Sequence, residues 1–199
     1  MQSIVYKNDF ILPPVNEAEA LRYAGSKKGD EASKALLSEA VALLSPVLSP
    51  AVVATEIALE EKDGVLFPED LAVSSKTLFK HAKEAEKAYL FAATVGIGAD
   101  RCIRRYASVS PALSLMLSAV ATERIETLCD IFCLSLGEKT VRVSPGYADI
   151  PLMLNQDILR LLDARRRLGV TLTESLLMTP TKSVTAIVFK KTFRKDSLL

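Results

Sequence analysis

Tyr89-Leu90-Phe91-Ala92-Ala93-Thr94-Val95 is an apolar run with charged residues before it and Gly96-Ile97-Gly98 after it. Seven residues are too few for a buried helix and suit a strand covered on both faces, so the run predicts the central strand of a sheet. Upstream, Leu78, Ala82 and Ala85 recur at helical spacing and predict a helix over 74–86 with a solvated, lysine-bearing outer face. His81 falls on that solvated face. Downstream, a short helix is expected over 99–106. Ser110-Pro111 then starts a long one, with serine at the cap and proline in the first turn, which Gly137 stops.

Further out, Asn16 caps a helix over 15–26, Gly29 breaks it, and Asp30 caps a second helix that ends in Ser45-Pro46-Val47-Leu48-Ser49-Pro50. Residues 52–59 read as a strand, and Asp63-Gly64 turns the chain into a return strand at 65–67. Pro68-Glu69-Asp70 opens the next segment. Towards the C-terminus, 139–143 reads as a strand and 155–168 as one amphipathic helix with Arg165, Arg166 and Arg167 outward and Gly169 as its cap. Residues 175–179 and 183–189 predict a terminal hairpin, followed by the basic tail Lys190 to Lys195. With no repeat and no linker, this order predicts an α+β fold. The expectation is one domain over 1–199, its core about 10–190, with a central antiparallel or mixed sheet and long helices packed against it.

The 199 residues carry 25 Lys+Arg against 24 Asp+Glu, a net charge of +1, so bulk charge implies neither nucleic acid nor an anionic membrane. No signal-peptide pattern opens the chain and no window reaches a membrane-spanning length, so a cytoplasmic protein is expected. Cys102, Cys129 and Cys133 make no even disulfide framework, and with His81 alone they complete no familiar zinc spacing. Cys129 and Cys133 share a helix face and read as small buried residues, a metal or redox pair being the alternative. No Gly-x-Ser-x-Gly elbow accompanies His81, so nucleophilic catalysis is not expected. Thr94-Val95-Gly96-Ile97-Gly98 joins strand to helix and could cradle an anion, but it completes neither dinucleotide signature; a tight turn is the plainer reading.

The chemistry concentrates in Arg142-Val143-Ser144-Pro145-Gly146-Tyr147. A cation, a Pro-Gly turn and an aromatic within six residues suit an anionic, partly planar small molecule. Glu123 and Glu126, three apart on the long helix, can present carboxylates to a ligand amine or simply pair with surface cations.

The segment from Arg142 to Val188 resembles the S-adenosylmethionine-binding activation domain of cobalamin-dependent methionine synthase. It does so through Arg142, Pro145, Gly146 and Tyr147, through Leu161-Leu162-Asp163 and Gly169 to Ser175, and through Pro180-Thr181-Lys182-Ser183-Val184. It looks most like short free-standing members of that family. The resemblance implies a reactivation role in trans, as part of a methyltransferase activity whose corrinoid sits on another protein. S-adenosylmethionine is the implied methyl donor, and cobalamin is supplied by a methionine synthase or other corrinoid partner. The implied electron source is a flavodoxin or another reductant. By matched position, Arg142 holds the ligand carboxylate, the backbone at Ser144 and Gly146 and the ring of Tyr147 wall the site, and Glu123 binds the ligand amine, with Glu126 the alternative. No residue is implied as catalytic and none as a metal ligand. Two family contacts, an N-terminal acidic residue and a late tyrosine, have no counterpart here. The alternative is therefore a docking module for a corrinoid protein that no longer binds the small ligand.

Overall fold

The apolar run from Tyr89 lies in the middle strand of a five-stranded sheet. The structure, a computed structural model, describes residues 4–26, 31–62, 65–67, 71 and 73–191. In chain order the first elements are β1 (Val5–Lys7), α1 (Glu17–Tyr23), α2 (Glu31–Leu44), β2 (Ala51–Ile57), β3 (Glu60–Lys62), β4 (Val65–Phe67), α3 (Lys76–Ala82) and β5 (Ala85–Thr94). There follow α4 (Ile97–Tyr106), α5 (Pro111–Leu136), β6 (Thr140–Val143), α6 (Leu154–Leu161), α7 (Ala164–Leu168), β7 (Thr171–Leu172), β8 (Met178–Thr179) and β9 (Ser183–Lys191). The main sheet has the order β1-β2-β5-β9-β6 and every pairing in it is antiparallel. The fold class is α+β in a single domain.

Alternation along the strands sends side chains to two helical layers. Val52, Ala54, Phe91, Ala93, Ala186 and Val188 point to one core, where they meet Leu117, Val120, Ile125 and Phe132 of α5 and residues of α1 and α2. Val53, Leu90, Ala92, Ile187 and Phe189 point to the other, against Leu78 of α3, Ile158 of α6 and Ala164 of α7. Both faces of β5 are thus covered, which is why its sequence is apolar without alternation.

Several expectations change. The helix predicted over 74–86 spans only Lys76–Ala82, and the chain is already strand at Ala85, because pairing of β5 with β9 extends to Lys191 and overrides local helical spacing. His81 is not on a solvated face: its ring stacks on Phe189 at 5.9 Å and its Nδ1 is buried. The return strand at 65–67 pairs with Glu60–Lys62 rather than with the strand before it, making a small separate ribbon. The helix expected over 155–168 is two helices, broken where Asp163 takes a left-handed φ of 49°. Among the described residues no terminal hairpin forms. Residues 178–179 pair with 171–172, and β9 instead inserts between β5 and β6. Ser110 stands at the cap of α5 but its side chain makes no capping bond, whereas Asn16 accepts from Glu19 N at 3.2 Å as expected. Gly29, Asp30, Asp63-Gly64, Pro68-Glu69-Asp70 and the tail beyond Lys191 lie outside the described residues.

Candidate functional site

β6 covers β9 only from Ile187 to Lys190, so among the described residues the edge of β9 from Ser183 to Ala186 has no strand beside it. The chain leaving β6 turns just there. Ser144 O accepts from Tyr147 N at 3.1 Å, with Pro145 second in the turn and Gly146 third at a φ of +86°, the pattern of a type II turn. Only glycine takes that φ without strain, and a Cβ there would also stand 3.1 Å from Leu152 Cδ1. Gly146 N donates to Ile150 O at 2.9 Å and Ile150 N to Tyr147 O at 3.0 Å, which closes a second turn through Ala148 at a φ of 51°. The N–H groups of Gly146, Tyr147 and Ile150 are thus spent inside the loop, and the ring of Tyr147 is exposed.

The loop is also anchored from outside. Asp149 accepts from Ser75 Oγ at 2.8 Å, Lys76 N at 2.5 Å and Thr77 N at 3.2 Å, so it caps α3 jointly with Ser75. Hydrogen bonds from Thr77 and Ser75 hold its carboxyl well below the usual carboxylate range. Asp149 carried no signal in the sequence, because the backbone groups it caps lie more than seventy residues away.

Arg142 projects from β6 toward α5. Its Nη2 lies 2.6 Å from Glu126 Oε2 and 3.7 Å from Asp130 Oδ1, while its Nη1 is buried with no hydrogen-bond partner among the described residues. Cys129 and Cys133 are buried in the same neighbourhood, and burial pushes their thiols up to about 12 and about 11. They are inert small core residues at neutral pH. Among the described residues no cluster of three or more His, Cys, Asp or Glu is placed to hold a metal ion.

Glu123 is elsewhere. It is buried against its neighbour Arg124, and its Oε1 also accepts from Asn16 N at 3.1 Å and Thr127 Oγ1 at 2.8 Å. Arg124 in turn donates to Pro13 O at 2.6 Å. This pair clamps the arm before α1 onto α5, and its lone pairs are spent there. A cavity of about 880 Å³ between that arm and α2 touches Arg124 but none of the residues matched from sequence except through Glu123's partner. Of the two glutamates weighed for a ligand, the structure brings Glu126 to Arg142 and keeps Glu123 away from it. The Gly96 and Gly98 positions have a packing reason: a Cβ at Gly98 would stand 2.1 Å from Val47 O, and one at Gly96 2.1 Å from Ser49 Oγ.

Residues 134–195 match the family described as vitamin B12 dependent methionine synthase, activation domain. The C-terminal part of this chain carries the activation-domain signature. Among solved structures, one described as the MetH reactivation domain bound to AdoHcy is similar over 98% of this chain and 81% of that chain, with a TM-score of 0.70 and 16% identity. The chain therefore has the activation-domain fold from end to end, while the sequence likeness is concentrated at and after β6. A comparison with curated protein sequences gives no match. Among the described residues no helix is long and apolar enough to cross a membrane.

Proposed function

We propose that the chain binds S-adenosylmethionine along the open edge of β9 and presents it to a corrinoid carried by a separate protein, so that an inactive corrinoid methyltransferase is returned to use. The observation that carries this is the Ser144–Tyr147 turn, formed where β6 leaves the edge of β9, two residues after Arg142, whose guanidinium is partly exposed. A guanidinium suits the ligand's carboxylate, the carbonyls of Pro145 and Gly146 suit its ammonium or adenine amino group, and the exposed Tyr147 ring suits a planar base. Glu126, paired with Arg142, is the carboxylate this reading assigns to the ammonium. The bound ligand supplies an electrophilic methyl group; the corrinoid and the electron that reduces it come from other proteins, a flavodoxin being one such donor.

One observation favours a second reading. Arg142 is already paired with Glu126, so the same residues also fit a docking module that keeps the fold and holds no small ligand. Calorimetric titration of S-adenosylmethionine separates the two. Binding that Arg142→Ala weakens about thirtyfold or more, the equivalent of about 2 kcal/mol for a lost charged hydrogen bond, supports the ligand site. No heat through the millimolar range leaves the docking module.

A further inference from the structure

Lys182, in the turn that leads into β9, directs its ammonium at α5 and donates to Ser118 Oγ at 3.0 Å and Thr122 Oγ1 at 2.8 Å. Both partners are neutral. An ammonium has three N–H donors, so one remains, and among the described residues no carboxylate lies within ion-pair distance of it. A cavity of about 430 Å³ opens over this point, its polar lining being Asp100, Arg104, Ser118, Thr179, Thr181 and Lys182. Asp100 does not serve the lysine directly: its Oδ2 accepts from Thr181 N at 2.9 Å and its Oδ1 from Thr181 Oγ1 at 2.6 Å, which ties the turn to α4. Arg104, exposed at the mouth, has no ion-pair partner among the described residues.

We propose that this cavity is an oxyanion-binding site, in which Lys182 Nζ and Arg104 hold a phosphate or carboxylate group. Two cations and one carboxylate, the last accepting from Thr181, line the cavity, so the lining carries net positive charge. Half-burial of the ammonium is costly, and it draws Lys182 below the ordinary lysine value against the opposing pull of the Asp100 carboxylate. An anion accepting the third N–H recovers that cost. The site is separate from Arg142. Ser118, Thr122 and Glu126 follow one another at four-residue spacing along α5, so Lys182 and Arg142 meet the same polar stripe at different turns, Thr122 and Glu126 being about 6 Å apart along the axis. The proposal stands whether or not S-adenosylmethionine binds.

The test is titration of inorganic phosphate, and separately of acetate, into the full chain at fixed ionic strength, following the backbone amide signals of Thr181 and Lys182. Saturable shifts with either anion are expected, and the more effective of the two tells which group the site takes. Lys182→Gln should weaken binding about tenfold or more, and Arg104→Gln should weaken it measurably, while Arg142→Gln leaves it unchanged. Absence of saturation with both anions overturns the site, as does binding indifferent to both substitutions. Should Lys182→Gln fail to fold, Arg104→Gln decides, because that side chain is exposed and leaves the packing intact.

Discussion

The guanidinium of Arg142 and the carboxylate of Glu126 are both partly exposed, with side-chain exposures of 24% and 37%, so their 2.6 Å contact contributes about 0–1 kcal/mol to folding. Glu126→Gln should therefore shift a urea midpoint only slightly. Under the ligand reading it also frees Arg142 while removing a partner for the ligand's ammonium, so calorimetry should show altered affinity with unaltered stability. Glu123 is the opposite case. Buried with Arg124 and bonded to the Pro13–Asn16 arm, it should cost about 3–5 kcal/mol when replaced by alanine, because Arg124 is left as an uncompensated buried charge. Chemical denaturation checks this, and a loss under 1 kcal/mol would contradict the clamp. Spacing could not separate the two glutamates. Their directions are set by β6 and by an arm 107 residues distant in sequence, neither of which leaves a trace in the helix itself. The Pro145-Gly146 turn, by contrast, was legible because it is a local device.

At the scale of elements, α3 and the loop after β6 depend on each other through Asp149 and Ser75. Ser75→Ala should cost about 1 kcal/mol as a lost helix cap, measured by thermal unfolding. Asp149 adds a pH dependence: its carboxyl titrates lower in the fold than in the open chain, so its stabilisation is present above the unfolded carboxylate value near pH 4 and is lost as pH falls through the folded one. Asp149→Asn should flatten the acid limb of the stability curve; an unchanged limb would refute the cap. The short extent of α3 and the split between α6 and α7 were not legible. Helical spacing persists through Ala85 and through Leu162, and only strand pairing in one case and a left-handed Asp163 in the other end the helices. The long α5 was legible at both ends, since Pro111 and Gly137 act within one turn of the backbone they punctuate.

For the whole molecule, the sheet with a helical layer on each face makes β5 the member on which both cores depend. Phe91→Ala, removing a fully buried ring that packs on Phe132 at 5.0 Å, should cost about 3–5 kcal/mol by denaturant titration. His81 reports on the opposite layer. Burial lowers its value below 6.5, so the unfolded chain takes up a proton first and stability falls as pH drops below 6.5; His81→Gln should remove that component from the pH profile. From sequence alone came the fold class, the central position of the Tyr89 run, the long helix and the Arg142–Tyr147 turn. Each rests on burial pattern or turn chemistry acting over a few residues. Only the tertiary structure decided that β9 enters between β5 and β6, that Glu126 rather than Glu123 meets Arg142, and that Lys182 reaches Ser118 and Thr122. Those contacts join residues far apart in the chain, and which partner is met depends on how whole layers pack rather than on any local preference.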